Sequence, residues 1–205
     1  MKHLDALRHV AVAIFALALG ACASYDSRLN DRNTAYLGTG GPVIDPSVKE
    51  DLALKKSYWD DSGIVGPPSI VINLTKQTAS FYKDGKLVGV SAISSGREGF
   101  DTPAGNFKIT QKNIDHASNL YGDYVDASGN VVVKDVDVKK DPRPAGATFR
   151  GAPMPYFMRI TGGVGMHQGF LPGVPDSHGC IRMPQKMARL FWDNAPQGTP
   201  VTVVY

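Results

Sequence analysis

Cysteine is nearly absent from this 205-residue chain, which has only Cys22 and Cys180. Two thiols cannot build the disulfide framework on which small exported domains with thin cores depend. Long apolar runs are missing too. The clearest, Val10 to Leu19, is too short to span a bilayer as a helix, which takes about 20 residues. Neither sign of charge dominates: 22 Lys and Arg stand against 19 Asp and Glu, a formal net charge of +3. There is no basic run and no interleaving of aromatic with basic residues, which excludes a nucleic-acid surface. Charged residues make up 20% and hydrophobic ones 42%, enough for the core of one ordinary domain with length left for tails. No internal repeat is visible.

The N-terminus reads as an address. Lys2 and Arg8 precede the Val10–Leu19 run, which has the length of a signal-peptide hydrophobic region and ends in Leu19-Gly20-Ala21-Cys22. Small residues directly before a Cys resemble the bacterial lipobox, where cleavage leaves Cys22 as a lipidated first residue; cleavage near Ala21 without lipid is the alternative. Residues 1–21 are thus expected to be a lipoprotein signal peptide, and the chain to be exported. Ala23 after Cys22 resembles lipoproteins bound for the outer membrane, so a lipid-anchored periplasmic location is expected. Cys180 is then the single free thiol of the mature chain. A Cys22–Cys180 disulfide would instead tie a tail to a Gly-flanked loop.

Residues 22–68 have the composition of a flexible tether, rich in Asn, Asp, Ser, Gly and Pro, as in Gly38-Thr39-Gly40-Gly41-Pro42. A brief helix within residues 48–58 is the only periodic stretch there. The folded domain is expected over 69–205. Ile70 to Leu74, Ala79 to Tyr82 and Leu87 to Val90 read as strands, with Asp84-Gly85 a hairpin turn between the last two. Asn106 to Thr110, Tyr156 to Ile160, Val164 to His167 and Thr199 to Tyr205 read the same way. Residues 111–150 look loop-rich, with one hairpin around Ser128-Gly129-Asn130 and Val131-Val132-Val133. Pro184 suits a first helical turn, and Met187, Leu190 and Phe191 follow at helical spacing. The fold class is mostly β with one helix after Cys180.

A thiol attacks an amide only as its thiolate, so it needs a base or positive charge beside it. Histidine can take the thiol proton and return it to a leaving amine. The chain has five His, two of them in the leader; of the other three, His167 and His178 flank Cys180. Gly179 allows the tight backbone that aims amides at a developing oxyanion. An inert buried Cys is one alternative. A zinc site from His167, His178 and Cys180 is another, but His178 and Cys180 lie closer than paired ligands usually do, and no fourth ligand is evident. No metal or cofactor is expected.

Ser177-His178-Gly179-Cys180-Ile181-Arg182, with His167 upstream, resembles the signature of the L,D-transpeptidase catalytic (YkuD) domain. Ile72-Asn73-Leu74, Gln77, Phe81-Tyr82, Gly85-Lys86, Ser95-Gly96 and Thr102-Pro103-Ala104-Gly105-Asn106-Phe107 follow that family's opening strands in order, so the resemblance covers residues 69–205. It implies an L,D-transpeptidase-like β-sandwich with a helix following the Cys motif. By that resemblance Cys180 is the nucleophile, acylated by a peptidoglycan tetrapeptide stem, and His167 is the base. His178, Gly179 and Cys180 supply oxyanion amides, and the carbonyl of Gln168 orients His167. Ser177 bonds His178 or shapes the turn. Arg182 follows the version common in Gram-negative members, or pairs structurally with a carboxylate. The spacer from His167 to Ser177 is shorter than in many members, and Gln168 stands where Gly or Ser is frequent.

The partners implied are stem peptides, the membrane through a lipid anchor, and as acceptor a second stem or a wall-anchored lipoprotein. Hydrolysis on the same fold would make the enzyme an L,D-carboxypeptidase or amidase. A non-catalytic wall-binding module is the reading from a different class.

Overall fold

The computed structural model describes residues 55–205. The expected leader, Cys22 and most of the tether lie outside them, as does most of the 48–58 stretch. The structure has thirteen strands and one helix among the described residues.

Hairpin chemistry opens the fold. Strands β2 (Pro68–Asn73), β3 (Thr78–Lys83) and β4 (Lys86–Ala92) form an antiparallel meander. Asp84 and Gly85 join β3 to β4 with φ of 50° and 71°, the left-handed pair that matches a hairpin turn to strand twist. The final strand, β13 (Pro200–Val204), pairs parallel to β2 and antiparallel to β5 (Gly105–Lys108). At the other edge β1 (Tyr58–Trp59) pairs with β4, giving the sheet order β1-β4-β3-β2-β13-β5. The first strand therefore lies inside the stretch read from composition as tether. Trp59 explains this: its ring packs 5.0 Å from Phe81 and 5.9 Å from Phe191.

A second sheet runs β12-β11-β10-β6, from Ile181–Met183, Val164–Gln168, Phe157–Thr161 and Gln111–Asn113 respectively. Helix α1 (Gln185–Asn194) begins directly after β12. Ile70, Ile72, Phe81, Val88, Val201 and Val203 of the first sheet meet Met158, Met166, Ile181 and Met183 of the second, and Met187 and Phe191 of α1. All are essentially buried, each such side chain contributing about 1.5–3 kcal/mol. Lys112 Nζ of β6 donates to the carbonyls of Trp192 and Ala195 (2.6 and 2.9 Å), a cation on the end of the helix where carbonyls lack partners and the dipole is negative.

The fold is mostly β with a single helix after the Cys motif. The middle of the chain is more ordered than its sequence suggests. Strands β7 (Ala117–Val125), β8 (Val131–Asp137) and β9 (Thr148–Pro153) form a third sheet, order β8-β7-β9, with its own small core of Tyr124, Val136 and Ala147. Most of β8 is exposed, so the alternation that announces a half-buried strand is weak there.

Candidate active site

Cys180 immediately precedes β12, whose residues pair in parallel with β11: Met166 with Ile181, His167 with Arg182. Parallel neighbours need a crossover of about a dozen residues, and residues 169–180 supply it as a loop. Side chains alternate across a strand. Met166, Ile181 and Met183 point into the core, so His167, Cys180 and Arg182 share the opposite face, and all three line one cleft of about 660 Å³.

The loop is fastened from three sides. Ser95 carbonyl accepts from the amides of Asp176 and Ser177 (both 3.0 Å), and Ser94 Oγ donates to Val174 O at 2.8 Å. Gln77 in turn holds Ser95, accepting its amide at 3.0 Å and donating to its hydroxyl at 2.7 Å. Thr102 Oγ1 accepts from Gly96 N (2.9 Å) and donates to Gly179 O (2.8 Å). Gly96 has no alternative residue, since a Cβ there would stand 1.9 Å from Phe100 O. Gly179 has φ +106°, a conformation that side chains resist. Ser177 is spent on the turn: its hydroxyl accepts from Gly179 N at 3.1 Å and donates to Cys180 O. It does not bond the His178 ring, and the Gly179 amide, one of the three expected oxyanion donors, is engaged by it.

His167 is 5% exposed, and its Nδ1 lies 2.7 Å from Gln168 O. A carbonyl only accepts, so Nδ1 carries the proton and Nε2 keeps its lone pair. Burial drives the His167 pKa down to about 4 against the hydrogen bond to Gln168, with Arg182 and His116 adding to the fall. Cys180 is half-buried, its Sγ 3.6 Å from Gly163 O. Burial pushes the thiol pKa up, opposed by the Gly165 amide and the charges of Arg159 and Arg182. Near pH 7 the pair is therefore a neutral thiol beside a neutral imidazole.

His178 sits apart from that pair in its chemistry. Its ring stacks on Tyr121 of β7 at 4.2 Å and meets Phe100 edge-on at 4.8 Å. Arg97 Nη2 approaches His178 Nε2 at 2.8 Å; guanidinium only donates, so Nε2 accepts. Burial and then Arg97 lower the His178 pKa. Arg182 is ion-paired with Asp176 at 3.0 Å, and its methylenes pack where a side chain at Gly169 would stand.

The sequence reading missed several residues of this cleft. His116, placed there in a loop-rich region, stacks on Phe157 at 4.2 Å and lines the cleft with Tyr121. Arg159 lines it as well. One signal was available: Arg159 is the lone charge in the apolar strand Phe157-Met158-Arg159-Ile160, beside Gly162-Gly163. Among the described residues no group of three or more His, Cys, Asp or Glu could hold a metal, and no helix is long and apolar enough to cross a membrane.

Cys180, just ahead of β12, and the buried His167 of β11 line one cleft of a mostly β domain. The family model for the L,D-transpeptidase catalytic domain, YkuD, matches residues 67–203, and the chain belongs to that family. No curated protein matches it. Among solved structures, an L,D-transpeptidase from Xylanimonas cellulosilytica is 23% identical with a TM-score of 0.50, over 84% of this chain and 76% of that one. One from Mycobacterium smegmatis is 21% identical with a TM-score of 0.50, over 68% and 59%. One from Enterococcus faecium is 27% identical with a TM-score of 0.47, over 68% and 50%. The chain thus spans about half to three-fifths of the length of the latter two.

Proposed function

We propose that this chain is an exported peptidoglycan L,D-transpeptidase working through a thioester on Cys180. The observation that carries the reading is the placement of His167, with its Nε2 lone pair uncommitted, on the same face as Cys180 one strand away. The Cys180 thiol passes its proton to His167 Nε2 as sulfur bonds the scissile carbonyl of a tetrapeptide stem. The C–N bond then breaks, and the leaving D-amino acid takes the proton back from His167. An amine of a second stem, or of a wall-anchored lipoprotein, attacks the thioester, and sulfur leaves reprotonated. The amides of His178 and Cys180 stabilise the oxyanion in both steps. A neutral pair suits this cycle, because the ion pair forms only as the nucleophile attacks.

Export rests on the leader and on Cys22, which we place at the membrane as a lipidated residue facing the periplasm. A single acyl chain holds a protein weakly and two or more hold it firmly, so Cys22→Ser should release the protein from membranes on fractionation. Retention of the variant would overturn the anchor.

The activity is tested with purified protein and defined tetrapeptide stems, following products by mass. A Cys180-linked acyl-enzyme and a cross-linked dimer are expected. Tripeptide alone would make the chain a hydrolase. Absence of any adduct on Cys180 overturns the enzymatic reading in favour of a wall-binding module.

A further inference from the structure

Arg159 is a cation held ready in the cleft without a counter-ion. Strand β10 alternates: Met158 and Ile160 are buried in the core, and Arg159 between them faces the cleft. Three contacts fix its guanidinium. Nε donates to Gln111 Oε1 at 2.9 Å, Nη1 donates to Gly162 O at 2.6 Å, and the group lies 5.1 Å above the ring of Phe157. All three partners are neutral. No carboxylate among the described residues lies within ion-pair distance of Arg159, whereas Arg182, the other guanidinium of the cleft, already has Asp176. No described residue accepts a hydrogen bond from Nη2 of Arg159.

Partly dehydrating a guanidinium costs free energy unless an anion completes it. Here no residue of the described chain does so, and the planar fork with two of its donors anchored is preorganised for a carboxylate. Its position relative to the nucleophile is equally specific. Arg159 bonds the carbonyl of Gly162 and Cys180 Sγ approaches the carbonyl of Gly163, so cation and thiol flank a single turn. The charge is felt on both sides of it, since Arg159 lowers the pKa of His116 and opposes the rise at Cys180. No carboxylate among the described residues lines the cleft, and with Arg182 paired to Asp176 the Arg159 guanidinium is its uncompensated charge.

We infer that Arg159 is a specificity subsite that binds a carboxylate of the acyl-donor peptide next to the bond that Cys180 attacks. The inference rests on the transpeptidase reading above for the identity of the peptide. Two carboxylates of a stem have the required chemistry: the terminal one of the leaving residue, and the side-chain one of the diamino acid whose carbonyl is transferred to Cys180. Binding either would set the scissile carbonyl against Sγ, and a donor lacking it would enter the cleft without that register.

The test compares three tetrapeptide donors: the free acid, its C-terminal amide, and the amide of the diamino-acid side chain. Affinity is measured by calorimetry in the full chain carrying Cys180→Ala, and the rate of acylation by intact mass with Cys180 present. Each is repeated with Arg159→Gln and Arg159→Lys. One of the two amides should be roughly 10- to 100-fold poorer than the free acid, the range for a charge-assisted pair, and that amide names the carboxylate. Arg159→Gln should lose the same factor on the free acid and leave the poorer amide unchanged. Arg159→Lys should recover part of the loss, since it keeps the charge and loses the fork. The unchanged amide doubles as proof that the variant folds. Equal behaviour of all three donors in the parent, loss on all three alike in Arg159→Gln, or no binding of any donor would each overturn the subsite. Arg159-dependent discrimination without turnover would uphold the subsite and overturn the transpeptidase reading. Turnover without such discrimination would do the reverse.

Discussion

His167 and Arg182 occupy partnered positions on adjacent parallel strands, and the Arg182 charge helps hold His167 neutral. Removing that charge should raise the His167 pKa from about 4. In Arg182→Gln the acid limb of Cys180 acylation should therefore move to higher pH. The profile is read from the rate of adduct formation with a carbapenem, a β-lactam that resembles the acyl donor in this family. A limb that stays in place or moves down would show that Arg182 acts only through its pair with Asp176.

The two histidines beside Cys180 should separate by pH. His167→Ala removes the proposed proton acceptor, so acylation should slow by roughly two to four orders of magnitude at pH 7 and partly recover as hydroxide takes over. His178→Ala keeps the backbone amide but loses the stack on Tyr121. Its loss should be smaller and should lack the alkaline recovery. The same carbapenem assay from pH 6 to 10 decides it, and reversed profiles would exchange the roles.

Burial of neutral His167 also makes stability depend on pH. Its pKa is lowered in the fold to about 4 from about 6.5 in the unfolded chain, so the unfolded state binds the extra proton between those values. Stability contributed by keeping His167 neutral is complete above about pH 6.5 and is lost as pH falls toward 4, by on the order of 3 kcal/mol. Denaturant melts of the parent at pH 7 and pH 4, beside His167→Gln, should show a smaller acid loss in the variant. Equal losses would place the acid sensitivity elsewhere.

Gly179→Ala tests the turn. There is room for the methyl group, whose nearest neighbour would be 3.6 Å away, so the penalty is conformational. It should cost about 1–2 kcal/mol of stability at this positive φ. Acylation should fall by more than tenfold under the proposed oxyanion role of the His178 and Cys180 amides, which flank this glycine. Thermal melts and acylation rates together check it, and full activity with normal stability would remove the turn from the argument.

Trp59→Ala examines the edge strand that composition assigned to the tether. The ring is half-buried against Phe81 and Phe191, so the loss should be about 2–3 kcal/mol, below the ~3–5 kcal/mol of a fully buried aromatic. Urea melts measure this. A change under about 0.5 kcal/mol, the scale of an ordinary surface site, would return residues 58–59 to the tether.

Local chemistry was legible in the linear chain wherever one short stretch determines it. Asp84-Gly85 can turn only a hairpin of this hand, Met187 and Phe191 repeat at helical spacing, and Ser177 to Arg182 carries a thiol, two ring nitrogens and a left-handed glycine within six residues. These preferences arise between near neighbours, so no other part of the fold is needed to read them. The hairpin at Ser128-Gly129-Asn130 and Val131 to Val133 was legible from its turn and begins β8, while the three-residue strands β6 and β12 carry too little alternation to be seen that way.

The rest depended on tertiary structure, because charge, burial and hydrogen-bond partners are set by residues far apart in sequence. His167 is held neutral by its burial in the fold and by the charges of Arg182 and His116. Thr102 reaches Gly179, Arg97 reaches His178, and Tyr121 stacks on the same ring; none of these pairs shares a motif. Arg182 and Arg159 look alike in sequence, each a single cation in an apolar strand. Only the fold gives one of them Asp176 and leaves the other lining the same cleft as Cys180 without an ion pair.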